Sequence, residues 1–145
     1  MGVIAKRRTK KIVAPYRLLT SLPTDDVLTI VQHVAAAFEP SSGLFDKGDQ
    51  YFAFDRSDKR CKIAYGKFRN PTKRNPSDRA YYWVGSVTAE VADQGTTMVT
   101  VHLTSWRTSD GDLNYRKQYL RFRATLVEWV RKYDPSVRLL DEAAR

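Results

Sequence analysis

At 145 residues the chain fits one domain, long enough to bury roughly two thirds of its unfolded surface without disulfide or metal staples. A hydrophobic fraction of 42% beside 28% charged residues is globular, and the longest apolar runs, such as Val34-Ala35-Ala36-Ala37-Phe38, fall far short of a membrane span. The net charge of +9 and the single cysteine, Cys61, speak against an extracellular disulfide scaffold and for an anionic partner, in a reducing compartment.

The charge is unevenly spread. Residues 1–11 carry +5 through Lys6, Arg7, Arg8, Lys10 and Lys11 and form a basic arm. Pro15 and Arg17 interrupt Ile12-Val13-Ala14, so the arm does not lead into an apolar segment of export length. Residues 24–55 carry −5, and residues 56–79 carry +7 from nine Lys/Arg and two Asp. The expected organisation is the arm at 1–11, one α+β domain at 12–140 and a tail at 141–145.

Within the domain, Tyr16 to Thr20 reads as a short strand that Pro15 confines to an edge or a strand beginning. Thr24-Asp25-Asp26 signals a helix start, a hydroxyl cap followed by two acids near the positive end of the dipole. Val27, Ile30, Val31, Val34 and Phe38 recur at helical spacing until Glu39-Pro40-Ser41-Ser42-Gly43 ends the element. Gln50 to Asp55 and Arg60 to Phe68 predict a hairpin across Arg56-Ser57-Asp58-Lys59, with Cys61, Ile63 and Tyr65 on one face. Arg79 to Val91 and Thr97 to Trp106 predict a longer hairpin across Ala92-Asp93-Gln94-Gly95, in which Val99, Val101 and Leu103 face the core. Asp112 is the expected cap of a final long helix whose stripe is Tyr115, Tyr119, Phe122, Leu126, Val130 and Tyr133. Asp134-Pro135 stops it, and Val137-Arg138-Leu139-Leu140 runs back along an edge. The predicted fold is an antiparallel sheet of about five strands with an N-terminal helix and a long C-terminal helix packed on one face.

A strand leading into a capped helix, then an antiparallel meander, then a long amphipathic C-terminal helix rich in aromatics resembles the START-like helix-grip superfamily over residues 12–140. The resemblance lies in architecture and in no sequence motif. It implies an apolar ligand held between the sheet and the last helix, with Tyr119, Phe122, Leu126 and Trp83 lining the cavity.

Reactive residues give little. His33 and His102 sit on different elements, each on a polar flank, with no carboxylate or cysteine at metal-ligand spacing. Cys61 alternates with Ile63 and Tyr65 and reads as a small buried hydrophobe. Asp110 and Asp112 sit in a polar turn suited to capping, where a general acid needs a carboxyl raised in pKa by burial. Gly66-Lys67 lacks the upstream glycine of a phosphate loop. No catalytic residue, metal ligand or cofactor site is expected.

The aromatic stripe of the last helix reads as core. Tyr81-Tyr82-Trp83 differs, because alternation sends Tyr82 to the face opposite its neighbours, next to the basic stretch 67–79. That stretch holds Lys67, Arg69, Lys73, Arg74 and Arg79 with two prolines, and loops of this length in small domains are usually functional or disordered. Positive side chains bracketed by Phe68 and Tyr81 neutralise phosphates while a ring offers a stacking face; the competing reading is a solvated charged loop.

The expected function is therefore a non-catalytic basic binding or assembly subunit, docking onto nucleic acid, an acidic protein surface or a larger nucleoprotein or viral assembly. Lys6, Arg7, Arg8, Lys10, Lys11, Lys67, Arg69, Lys73, Arg74 and Arg79 would supply the charge and Tyr82 a stacking ring. The alternatives are a START-like carrier of an apolar small ligand and a protein-only assembly component. The expected location is cytoplasmic or within a viral or nucleoprotein particle, away from membranes.

Overall fold

The alternation of apolar and polar residues decides which side of each strand meets the helices. In a computed structural model that describes residues 14–37, 49–67, 81–93, 95–106, 108–109, 112–113 and 116–140, strand β1 (Tyr16–Thr20) buries Tyr16, Leu18 and Thr20 and turns Arg17 outward. β1 pairs antiparallel with β5 (Thr96–Trp106), which sends Thr97, Val99, Val101 and Leu103 to the same side. β2 (Asp49–Phe54), β3 (Arg60–Lys67) and β4 (Tyr81–Asp93) extend the ladder, and every neighbouring pair is antiparallel.

The observed sheet has six strands where about five are expected. Its order is β2-β3-β4-β5-β1-β8, and the sixth is the returning edge, β8 (Arg138–Leu139), opposite Leu18 and Leu19. The second hairpin is tighter than its sequence suggests. β4 runs through Ala92 to Asp93, and Gly95, at φ +74, takes the left-handed conformation the short turn requires.

Helix α1 (Thr24–Ala37) buries Val27, Leu28, Ile30, Val31, Val34 and Ala35 and keeps Asp25 and Asp26 in its first turn. Its cap is not the Thr24 hydroxyl. The Pro23 carbonyl accepts from Val27 N at 3.1 Å, so Thr24 already stands inside the first turn. Arg56, from the β2–β3 turn, pins the helix. Its guanidinium donates to Thr29 Oγ1 at 3.0 Å and Gln32 Oε1 at 2.6 Å and forms an ion pair with Asp25.

The last helix, α2 (Arg116–Tyr133), buries Tyr119, Phe122, Leu126, Val127 and Val130. Asp112 does not cap it. Asp112–Leu113 forms a two-residue strand, β7, against β6 (Thr108–Ser109), and this pairing delays the helix to Arg116. Tyr115 and Asp110 lie outside the described residues. Tyr133 does not join the stripe either: the helix ends at it, the chain folds back through Asp134, and the ring stays 64% exposed. Val99, Val101, Leu103, Phe122 and Leu126 are buried in one cluster, as their spacing predicts.

Candidate functional site

Most of the expected anion-binding residues fall where nothing is described. Lys6, Arg7, Arg8, Lys10, Lys11, Arg69, Lys73, Arg74 and Arg79 lie outside the described residues, and Lys67 ends β3 with its backbone opposite Asp49. Tyr82 is described, and it sits at a slip in the β3–β4 ladder. The β3–β4 register slips between Tyr65 and Gly66, so that Trp83 stands opposite Tyr65 and Tyr81 opposite Gly66. The extra residue, Tyr82, is half-buried against the core, its ring centroid 5.8 Å from that of Tyr65.

The described residues add a basic surface on α2, away from its apolar stripe. α2 carries Arg116, Lys117, Arg121, Arg123, Arg131 and Lys132 against Glu128 alone. Lys117, Arg121, Arg131 and Lys132 are exposed on it, and Arg123 is half-buried with its guanidinium 4.0 Å above the Tyr16 ring. Lys132 lies 5.4 Å from the centroid of Trp129. The signal was available in the charges of residues 116–133, which a search for apolar periodicity ignores.

Between the sheet and α2 the rings meet one another. Trp83 and Tyr119 pack edge to face at 5.3 Å, Trp83 and Phe122 at 6.4 Å, and Tyr51 and Phe122 stack at 6.0 Å. Tyr51 donates its hydroxyl to the Gln118 carbonyl at 2.8 Å. Two polar atoms in this wall are buried without a hydrogen-bond partner, Trp83 Nε1 and Tyr119 Oη. Burial pushes the Tyr119 hydroxyl above its ordinary pKa, with Arg123 pulling the other way. Tyr51 is likewise raised, first by burial and then by Tyr65.

The remaining reactive groups stay apart. Cys61 is fully buried, and desolvation pushes its thiol up to about 11, well away from a nucleophile's range. His33 and His102 are exposed on α1 and β5. Among the described residues no group of three or more His, Cys, Asp or Glu is arranged to hold a metal ion. No helix among them is long and apolar enough to cross a membrane.

The most strongly held titratable group is Asp134, which follows α2. Its buried carboxylate accepts from Thr20 Oγ1 at 2.6 Å, Ser21 N at 2.8 Å, Ser136 Oγ at 2.5 Å and Ser136 N at 3.1 Å. The Ser136 and Thr20 hydroxyls lead in holding it far below the usual carboxylate range, so it stays ionised and serves as a clasp.

No family model and no curated protein matches the chain. Solved structures to which it is similar include an Hsp90 activator from Plasmodium falciparum, at 8% identity and a TM-score of 0.47, over 79% of this chain and 95% of that one. A protein from Nitrosospira multiformis is similar at 12% identity and a TM-score of 0.46, over 91% of this chain and 99% of that one. The di-domain ARO/CYC StfQ of the steffimycin biosynthetic pathway is 14% identical, with a TM-score of 0.34, over 81% of this chain and 42% of its own. None of these likenesses assigns an activity or a partner.

Proposed function

We propose that this chain is a non-catalytic basic subunit that docks onto an anionic partner, nucleic acid or an acidic surface within a larger assembly. The observation that carries the reading is the distribution of charge: +5 in residues 1–11 and +7 in residues 56–79, joined by the exposed Lys117, Arg121, Arg131 and Lys132 of α2. In this reading Lys6, Arg7, Arg8, Lys10 and Lys11 anchor, while Lys67, Arg69, Lys73, Arg74 and Arg79 contact phosphates or carboxylates. Tyr82 contributes the exposed part of its ring. The test is a salt titration of binding to labelled oligonucleotides and to a polyacidic peptide, with Arg7, Arg8, Lys73 and Arg74 replaced together. Absence of binding to every anionic probe at low salt would remove the proposal.

A second reading is a START-like carrier of an apolar small ligand, favoured by the unpartnered Trp83 Nε1 and Tyr119 Oη in the wall between sheet and last helix. A buried polar atom without a partner costs about 1–3 kcal/mol, and a ligand oxygen placed there would recover it. Retention of a bound apolar molecule by the protein after gel filtration and denaturing extraction would favour this reading over the first.

A further inference from the structure

The groove between α2 and the β8 edge combines an apolar floor with two guanidiniums. It has a volume of about 310 Å3, and its apolar lining comes from Leu120, Ala124, Val127 and Leu139. Leu120 is 36% exposed on a helix that buries Tyr119, Phe122, Leu126, Val127 and Val130. Two guanidiniums, Arg123 and Arg131, line the same groove, with Glu128 between them in sequence. Glu128 lines the groove as well, but among the described residues the ion pairs are Arg56 with Asp25 and Lys62 with Asp55, so neither groove arginine is paired with a described carboxylate. Arg123 is half-buried, with the Tyr16 ring 4.0 Å beneath its guanidinium. Arg123 also acts on the Tyr119 hydroxyl, and a partly desolvated guanidinium that forms no ion pair with a described carboxylate is suited to receive one from a partner.

The sheet edge beside the groove adds direction. Leu140 N donates to the Arg17 carbonyl at 2.9 Å, which makes Arg17 and Leu140 a hydrogen-bonded antiparallel pair. The next pair, Leu18 and Leu139, is then the alternate type, and the N–H and C=O of Leu139 point away from β1. Among the described residues β8 is the last strand of the sheet, so these groups stand at its edge. The Leu139 side chain shares the helix side of the sheet with Leu18 and lines the groove. An extended segment laid along β8 would therefore meet backbone partners at Leu139 and send alternate side chains toward Leu120, Val127 and the two arginines.

We infer that this groove binds an extended protein segment carrying an apolar anchor flanked by Asp or Glu, paired to the β8 edge and held by Arg123 and Arg131. The inference rests on the anionic-partner reading above and chooses an acidic protein segment over nucleic acid as the occupant of this site. The apolar floor decides the choice, because Leu120, Val127 and Leu139 offer a phosphate backbone nothing, whereas a leucine side chain fills the space.

The test uses the full chain and a fluorescein-labelled, end-capped peptide in which leucines alternate with Asp and Glu. Lysine-for-acid and serine-for-leucine versions of the peptide serve as controls. The expected result is saturable binding that either control peptide loses. Arg123→Gln and Arg131→Gln are each expected to weaken it about tenfold, as loss of a charge-assisted hydrogen bond would. Arg123→Lys keeps the charge but not the fork and should recover only part, while Leu120→Asp should abolish binding. Thermal melts of every variant separate lost binding from lost folding, and chemical-shift changes at Leu139 and Leu120 locate the peptide. Replacement of Arg7, Arg8, Lys73 and Arg74 should weaken peptide binding less than Arg123→Gln or Arg131→Gln does. Affinity lost in that variant but kept in the groove variants would overturn the groove assignment while sparing the anionic-partner reading. Equal competition by oligothymidylate, or no binding by the folded wild type, would likewise overturn it.

Discussion

The carboxylate of Asp134, at the end of the last helix, accepts a 2.6 Å hydrogen bond from the hydroxyl of Thr20, at the end of the first strand. The two residues are 114 positions apart, and both are buried. Ser21 N and the Ser136 backbone and hydroxyl complete the shell, so an isolated charge in the interior is stabilised by donors alone. Because the folded-state pKa is depressed, the clasp contributes its full stability above the ordinary carboxylate pKa and loses it as pH falls below about 4. Asp134→Asn is expected to cost about 2–3 kcal/mol at neutral pH, since an amide presents donors to hydroxyls and N–H groups that are already donating. Urea unfolding at neutral and acidic pH checks both effects: the variant should be less stable than wild type at neutral pH and show a flatter acid limb.

A second long-range contact joins the first hairpin to the first helix. Arg56 reaches Thr29, Gln32 and Asp25 with a side chain that is 25% exposed. The exposed Asp25 pair contributes little in water, so most of the effect resides in the bonds to Thr29 and Gln32. Arg56→Ala should destabilise by about 1–2 kcal/mol, and Arg56→Lys should recover less than half because one ammonium cannot serve the spread acceptors. A double-mutant cycle with Gln32→Ala, read by chemical denaturation, measures the coupling; additivity would show that the contact is ornamental.

How much of this was legible in the sequence depends on the range over which each signal acts. The α1 stripe and the alternation of Val99, Val101 and Leu103 are local periodicities imposed by one buried face, and the fold follows them. Arg56 and Asp134 read in sequence as turn residues, because their partners lie on other elements and polar contacts leave no period. Asp112 is a good cap by composition, yet its backbone is committed to Thr108–Ser109, and α2 starts only at Arg116. Tyr82 is less buried than Trp83, as alternation predicts, but a bulge adds one residue to β4 there, and its ring lies 5.8 Å from that of Tyr65. The groove of Arg123 and Arg131 was invisible, since Tyr16 and Leu139, which complete it, come from opposite ends of the chain.

The unpartnered hydroxyl in the aromatic wall makes a sharp test of what that wall contains. Tyr119 is fully buried and its oxygen makes no well-formed hydrogen bond, only a weak interaction with the Arg123 guanidinium, so Tyr119→Phe removes a desolvation cost and little bonding. The purified protein should be unchanged or up to about 1 kcal/mol more stable as the phenylalanine variant. A lower melting temperature would mean that a bound molecule or an internal water satisfies the oxygen, and would favour the carrier reading.

Cys61 supplies a reporter of opening. It is fully buried between β2 and β4, with its thiol pushed up to about 11 and facing only weak acceptors, the Phe54 carbonyl at 3.9 Å and the Lys62 carbonyl at 3.7 Å. Thiolate is the reactive form, so the native protein should resist alkylation at mildly alkaline pH and react at the rate set by unfolding. Rapid labelling of folded protein, followed by mass spectrometry, would show that the first hairpin opens on its own.

The last prediction concerns the basic segments themselves, whose effect should be read in slope as well as affinity. Each phosphate neutralised by Lys or Arg releases condensed counterions, so log affinity for nucleic acid falls linearly with log salt, by about 0.7–0.9 per contact. If Arg7, Arg8, Lys73 and Arg74 all contact phosphates, replacing them with Gln should reduce that slope by about three to four. The affinity of the wild type should itself fall by orders of magnitude between about 50 and 200 mM salt. Folding stability should move by no more than about 0.5 kcal/mol, the usual range for surface charges. Lys117, Arg121, Arg131 and Lys132 provide the internal comparison, since they are exposed on a rigid helix and carry the same formal charge. Gln at all four should reduce the slope less than the arm-and-loop variant does if the partner engages the arm and loop. An equal or larger reduction would move the nucleic-acid interface onto α2. An unchanged slope in both variants, measured by fluorescence anisotropy, would mean that all three basic segments serve only to keep the chain solvated.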